Sequence, residues 1–135
     1  MAGRSTKVEK GRCSMTYESV LDTAFKELPE FKNEYDDFVS KDIIDNNSGM
    51  HIVFSYVFVP MVEKNIKAND KRKLRKICDF LEKMAASNDE EVQAICDQSI
   101  LEVLCGEYQD KILIPLFGEK TLEGLYSVRQ YILEP

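Results

Sequence analysis

The side chains in this chain best suited to chemistry are carboxylates and cations, gathered on either side of one short turn. The acidic set is Glu82, Asp89, Glu90, Glu91, Asp97 and Glu102, with Glu107 and Asp110 just beyond. Paired carboxylates do acid–base work only where burial or proximity separates their pKa values, and nothing in the local pattern points to a cleft. Asp89 to Glu91 stand where a helix would begin, so they complement the positive end of its dipole. Glu82 and Glu102 border apolar pairs, in Phe80-Leu81-Glu82 and Leu101-Glu102-Val103-Leu104. That places them at the edge of a helix–helix groove, as salt-bridge partners of Lys or Arg or as recognition groups. Tyr108 and Tyr131 are candidate aromatic anchors of an interface. The candidate partner-binding set is therefore Glu82, Asp89, Glu90, Glu91, Asp97, Glu102 and Tyr108.

Opposed to it is a basic run, Lys67, Lys71, Arg72, Lys73, Arg75 and Lys76. Six cations within ten residues make a local field able to contact phosphates; the plainer reading is a solvated helix face. Cations at a helix start work against the dipole, and no aromatics are interleaved for base stacking. The lone histidine, His51, heads an apolar segment and reads as a packed or capping residue. Cys13, Cys78, Cys96 and Cys105 form no CxxC, and with one histidine they cannot make a Cys/His zinc set. Di-iron helical sites need two Glu-x-x-His motifs, which one histidine cannot supply. No GxGxxG, GxxxxGK[ST], GxSxG or HExxH occurs. The residues thus point to no catalytic group, no metal and no cofactor.

Charge narrows the class of partner. Lys and Arg number 18 and Asp and Glu 24, for a formal charge of −6. The first fourteen residues hold four of those cations and one carboxylate, leaving 14 against 23 from Met15 onward, a charge of −9. Such a body repels nucleic acid and anionic membranes at long range and attracts a basic protein. Residues 1–14 are polar and basic, and are expected to be a disordered lead-in to one helical domain over 15–135, with Met15 a second candidate start. They lack the apolar core of a signal peptide, and no apolar run reaches membrane-spanning length. A reducing, cytoplasmic setting is expected.

The elements that must position these groups read as helices. Asp70 to Cys105 predicts an antiparallel hairpin. Its first helix buries Leu74, Ile77, Cys78, Leu81, Met84 and Ala85; its second buries Val92, Ile95, Cys96, Ser99 and Val103, flanked by Ile100, Leu101 and Leu104. Asn88 with Glu91 suggests a capping box between them. Upstream, Thr16 is expected to cap a helix with Val20, Leu21, Ala24, Phe25 and Leu28. Pro29 separates it from a second, with Phe31, Tyr35, Phe38 and Val39. The segment from Met50 to Ile66 is rich in β-branched and aromatic residues, so Met50 to Val59 suits a strand or a helix. No second run exists to pair with a strand, and Asn47 and Ser48 offer caps, so a buried helix that Pro60 kinks or divides into two pieces is expected. Downstream, Gly106 should end the hairpin, a short helix should span Glu107 to Ile114, and Thr121 should cap a last helix. The fold class is all-α: one domain of six or seven helices in stacked antiparallel pairs, HEAT/armadillo-like.

Phe80-Leu81-Glu82, Asp89-Glu90-Glu91-Val92, Leu101-Glu102-Val103-Leu104 and the Gly118-Glu119-Lys120-Thr121 turn give the stretch from Gly49 to Ile132 a resemblance. It resembles small, all-helical bacterial proteins of the polymorphic or contact-dependent toxin immunity type. The resemblance implies a cytoplasmic, non-enzymatic inhibitor whose partner is a basic toxin domain. The alternative expectation is a helical regulator or adaptor that binds nucleic acid through residues 67–76.

Overall fold

A computed structural model describes residues 15–45, 47–104 and 107–133, without the side chains at 107–109 and 130–133. Residues 1–14, Cys105, Gly106 and the side chains of Tyr108 and Tyr131 therefore lie outside the described residues. Among the described residues seven helices follow one another and there is no strand. Helix α1 is Val20–Glu27 and α2 is Pro29–Ser40. Helix α3 runs through Met50–Val53, Phe54–Phe58 and Val59–Lys67. Helix α4 is Lys71–Ala85, and α5 runs through Glu90–Ala94, Ile95–Leu101 and Glu102–Leu104. Helix α6 is Glu107–Leu113, extended by a 3-10 turn at Ile114–Leu116, and α7 is Glu119–Leu133.

The core explains why the ambiguous segment is helical. Phe54, Phe58, Val62 and Ile66 all lie buried on one side of α3. Phe31 of α2, Phe54 and Phe58 of α3 and Phe80 of α4 form a continuous aromatic spine, with successive ring centroids 5.2 to 6.0 Å apart. Such tilted and edge-on contacts add to the area the rings bury. A strand at this position would leave a row of backbone groups unsatisfied; the helix satisfies them internally.

Two helices depart from α geometry. In α3, Phe54–Phe58 is a π segment, with the Val59 amide donating to the Phe54 carbonyl. It stands just before Pro60, whose ring would otherwise press on the preceding turn. In α5, Ile95–Leu101 is a second π segment, and the Glu102 amide donates to the Asp97 carbonyl. Each widened turn holds one residue more than an α turn, so the residues after it rotate about the axis. This corrects the expected stripe of α5: Val103 is 55% exposed, while Ile100, Leu101 and Leu104 are buried.

The caps also differ from expectation. Thr16 closes a turn by accepting from the Ser19 amide at 3.2 Å, and α1 starts later, at Val20. Gly49, not Asn47 or Ser48, precedes α3. Asp89, not Asn88, caps α5 through the Glu91 amide at 2.9 Å. Thr121 lies inside α7, and the cap there comes from another helix. The hairpin of α4 and α5, the buried Cys78 and Cys96, and the break at Pro29 stand as predicted.

Candidate partner-binding surfaces

The acidic set divides by what each carboxylate touches. Glu82 leaves the middle of α4 and caps α7. One oxygen accepts from the Thr121 amide at 2.9 Å and its hydroxyl at 2.8 Å; the other accepts from the Lys120 amide at 3.0 Å. These are otherwise orphan donors of a helix N-terminus, and a carboxylate also suits the dipole there. The backbone comes so close that a Cβ on Gly118 would lie 2.5 Å from the Glu82 carboxyl carbon. The salt bridge expected of Glu82 is thus replaced by a three-bond cap. Asp89 is equally committed: its second oxygen accepts from the Tyr17 amide at 2.8 Å, tying the start of the described chain to α5. Ser87 assists by donating to the Met15 carbonyl at 2.6 Å.

Asp97 sits half-buried where α5 crosses α7. A Cβ on Gly124 would meet its Oδ1 at 2.3 Å, so only glycine leaves room for the carboxylate. Burial pushes its carboxyl above the ordinary aspartate value. Glu90, Glu91 and Glu102 are exposed and make no ion pair among the described residues. They do not form one patch: Glu91 and Glu102 stand at opposite ends of α5, about 16 Å apart at 1.5 Å per residue. The fold therefore places two of the predicted acids in caps, one in a helix crossing and three on the surface.

What the sequence did not disclose is the seam between α3 and α5, where the two π segments face each other. His51 Nδ1 and Ser99 Oγ lie 2.5 Å apart, and Ser55 Oγ donates to the Ser99 carbonyl at 3.3 Å. Ser99 is only 4% exposed, so its hydroxyl serves as a tie between helices. Beside the tie, α3 presents Ile52 and Tyr56 one turn apart, 45% and 58% exposed. On α5, Val103 lies one turn beyond Ser99, and exposed Glu102 is its neighbour. One aromatic and two branched aliphatic side chains are thus exposed beside a carboxylate on these two helices. Sequence carried no signal for this, because the exposure of Val103 follows from the π turn.

The basic run divides too. Lys73 turns toward α2, as does Lys64 ahead of the run: Lys64 Nζ lies 2.7 Å from Glu34 and 3.3 Å from Glu30, and Lys73 Nζ lies 3.4 Å from Glu30. Burial raises the Glu30 carboxyl, but hydrogen bonds from buried Asn65 and from Lys64, with the charge of Lys73, outweigh it and hold it below its usual value. Its partners Glu34 and Glu30 in turn hold the Lys64 ammonium above its own. Glu30, Glu34, Lys64, Lys73 and Lys76 line a groove of about 560 Å³ together with Leu28, Met61 and Ile77. Among the described residues no three His, Cys, Asp or Glu side chains converge to hold a metal ion. None of the described helices is long and apolar enough to cross a membrane.

Residues 21–132 match the family described as Domain of unknown function (DUF7674), and the chain belongs to that family. No curated protein and no solved structure matches it.

Proposed function

We propose that the protein is a non-enzymatic binding module that docks a basic protein on the α3–α5 face. The observation that carries this is the exposure of Ile52, Tyr56 and Val103 on adjoining helices, next to Glu102, which makes no ion pair among the described residues. Aromatic and aliphatic side chains supply the anchor, and the carboxylate with the acidic body supplies orientation and association rate. The finer form of the proposal is an immunity protein that neutralises a basic bacterial toxin domain in the cytoplasm. It draws on the charge of −9 from Met15 onward and on the resemblance of Gly49 to Ile132.

The test is co-expression with the product of the adjacent gene, followed by titration calorimetry and a growth-protection assay. Binding that weakens as salt rises, with rescue of growth, is the expected outcome. Tyr56→Ala should raise Kd about 30-fold, the effect of an interface hot spot. An adjacent product that neither binds nor harms growth would sink the immunity reading. Binding unaffected by Tyr56→Ala and Glu102→Lys would sink the surface itself.

A further inference from the structure

The basic run leaves a residue of charge that the fold does not use. Lys67 at the end of α3, and Lys71, Arg72, Arg75 and Lys76 on α4, are all exposed and make no ion pair among the described residues. Carboxylates stand close by, yet none is spent on them. Asp70 caps α4 by accepting from the Lys73 amide at 3.2 Å, Glu30 takes Lys64 and Lys73, and Asp79 forms no ion pair among the described residues. A tight turn joins the two parts of the patch: Asn69 has φ 56°, and the Asp70 amide donates to the Asn65 carbonyl at 3.1 Å. Asparagine tolerates that left-handed backbone better than most residues.

On α4 the four cations occupy positions i, i+1, i+4 and i+5, opposite buried Leu74, Ile77, Cys78 and Leu81. They form two rows one 5.4 Å turn apart, extended by Lys67 across the turn. The result is a line of charge with no apolar anchor in it. Among the described residues the exposed large apolar side chains are Ile43, Ile52, Tyr56, Val103 and Tyr126, all on other elements. A membrane-surface helix needs an apolar face turned outward, but α4 spends its apolar face on the core. A protein interface is centred on buried anchors, and this stripe has none. A phosphodiester chain needs only cations in a row, because its affinity comes from released counterions.

We propose that Lys67, Lys71, Arg72, Arg75 and Lys76 form a second interaction surface that holds the phosphate backbone of nucleic acid without reading its sequence. With no aromatic side chain in the stripe there is no stacking platform, so contact is to phosphates alone. Repulsion from the acidic body is screened beyond about 8 Å at physiological ionic strength, whereas direct phosphate contacts are not. This surface is independent of the α3–α5 face, and either can fail without the other.

The experiment is fluorescence anisotropy of the full chain with a labelled 20-nucleotide oligo-uridine and a labelled 20-base-pair DNA duplex, from 25 to 200 mM KCl. Four to five phosphate contacts predict a slope of log K against log salt of about −3 for the single strand and about −4 for the duplex. Arg72→Glu with Arg75→Glu and Lys76→Glu should remove that slope, while Lys32→Glu on α2 with Lys41→Glu just beyond its end should leave it unchanged. Circular dichroism confirms that both variants fold. No binding at 25 mM KCl would overturn the proposal, and so would an undiminished slope in the triple variant, which would place the contacts elsewhere. Equal affinity for poly-glutamate of matched length would overturn the phosphate assignment. Binding to phosphatidylserine vesicles without binding to either oligonucleotide would assign the stripe to membranes instead.

Discussion

Helices α4 and α5 are the two arms of one hairpin, each with an apolar stripe, yet they use their stripes differently. Helix α4 keeps α geometry over fifteen residues, and Leu74, Ile77, Cys78, Leu81 and Met84 are all buried. Helix α5 widens over Ile95–Leu101, and its stripe turns with it, so that Ile100 and Leu104 go inward and Val103 goes out. The regular arm gives all its apolar surface to the core. The irregular arm holds some back, beside Ile52 and Tyr56 of an equally irregular α3. π turns recur at functional positions because they re-aim side chains without ending the helix, and here two of them meet at one seam.

That contrast breaks first in the core. Leu81→Ala in α4 and Leu101→Ala or Ile100→Ala in α5 should each cost about 2–5 kcal/mol in chemical denaturation. A cost below about 1 kcal/mol at Ile100 would mean the stripe of α5 had not rotated. Next comes the cap between helices. Glu82→Ala leaves two amides and the hydroxyl of fully buried Thr121 without their acceptor. Stability should fall by about 1–3 kcal/mol, with hydrogen exchange accelerated first at the start of α7. Unchanged exchange at Lys120 and Thr121 would show the cap to be idle.

Asp97 gives a smaller effect with a definite sign. Its folded pKa is raised, so the native state holds the proton more tightly than the unfolded chain does. The charged form therefore costs stability above the folded pKa, and that cost fades as pH falls through it. Asp97→Asn should raise the melting temperature at pH 7, and the gain should shrink as pH falls toward the ordinary aspartate value. Glu30 has the opposite sign: its lowered pKa contributes stability above the ordinary glutamate value, which is lost as pH falls through the folded one. A gain at Asp97→Asn that stayed constant with pH would refute the burial explanation. The smallest effect belongs to Val103→Ala, which should change stability by no more than about 0.5 kcal/mol, as at other exposed positions.

The parts of this structure that were readable in sequence are the ones governed by near neighbours. Spacing of 3.6 residues marked the face of α4, Pro29 marked a boundary, and the absence of a pairing partner made Met50 to Val59 helical. The contacts between helices depend on residues far apart in the chain. Glu82 caps a helix 38 residues away, and His51 reaches Ser99 across 48. No local pattern encodes those meetings. The π segments defeat periodic reasoning more directly, because a 3.6-residue template applied across Ile95–Leu101 puts Val103 on the wrong side. The acidic cluster looked like one surface in sequence because capping and exposure cannot be told apart there: Asp89 and Glu91 are two residues apart, one engaged in a cap and one exposed.

The seam of α3 and α5 carries the central claim, and one titration tests it most directly. Wild type, Tyr56→Ala and Val103→Asp are each measured by calorimetry against the purified product of the adjacent gene, with circular dichroism and melting temperature recorded for every variant. The account predicts that both variants fold and melt like wild type and bind about 30-fold or more weakly. Variants that fold and bind as tightly as wild type would contradict it.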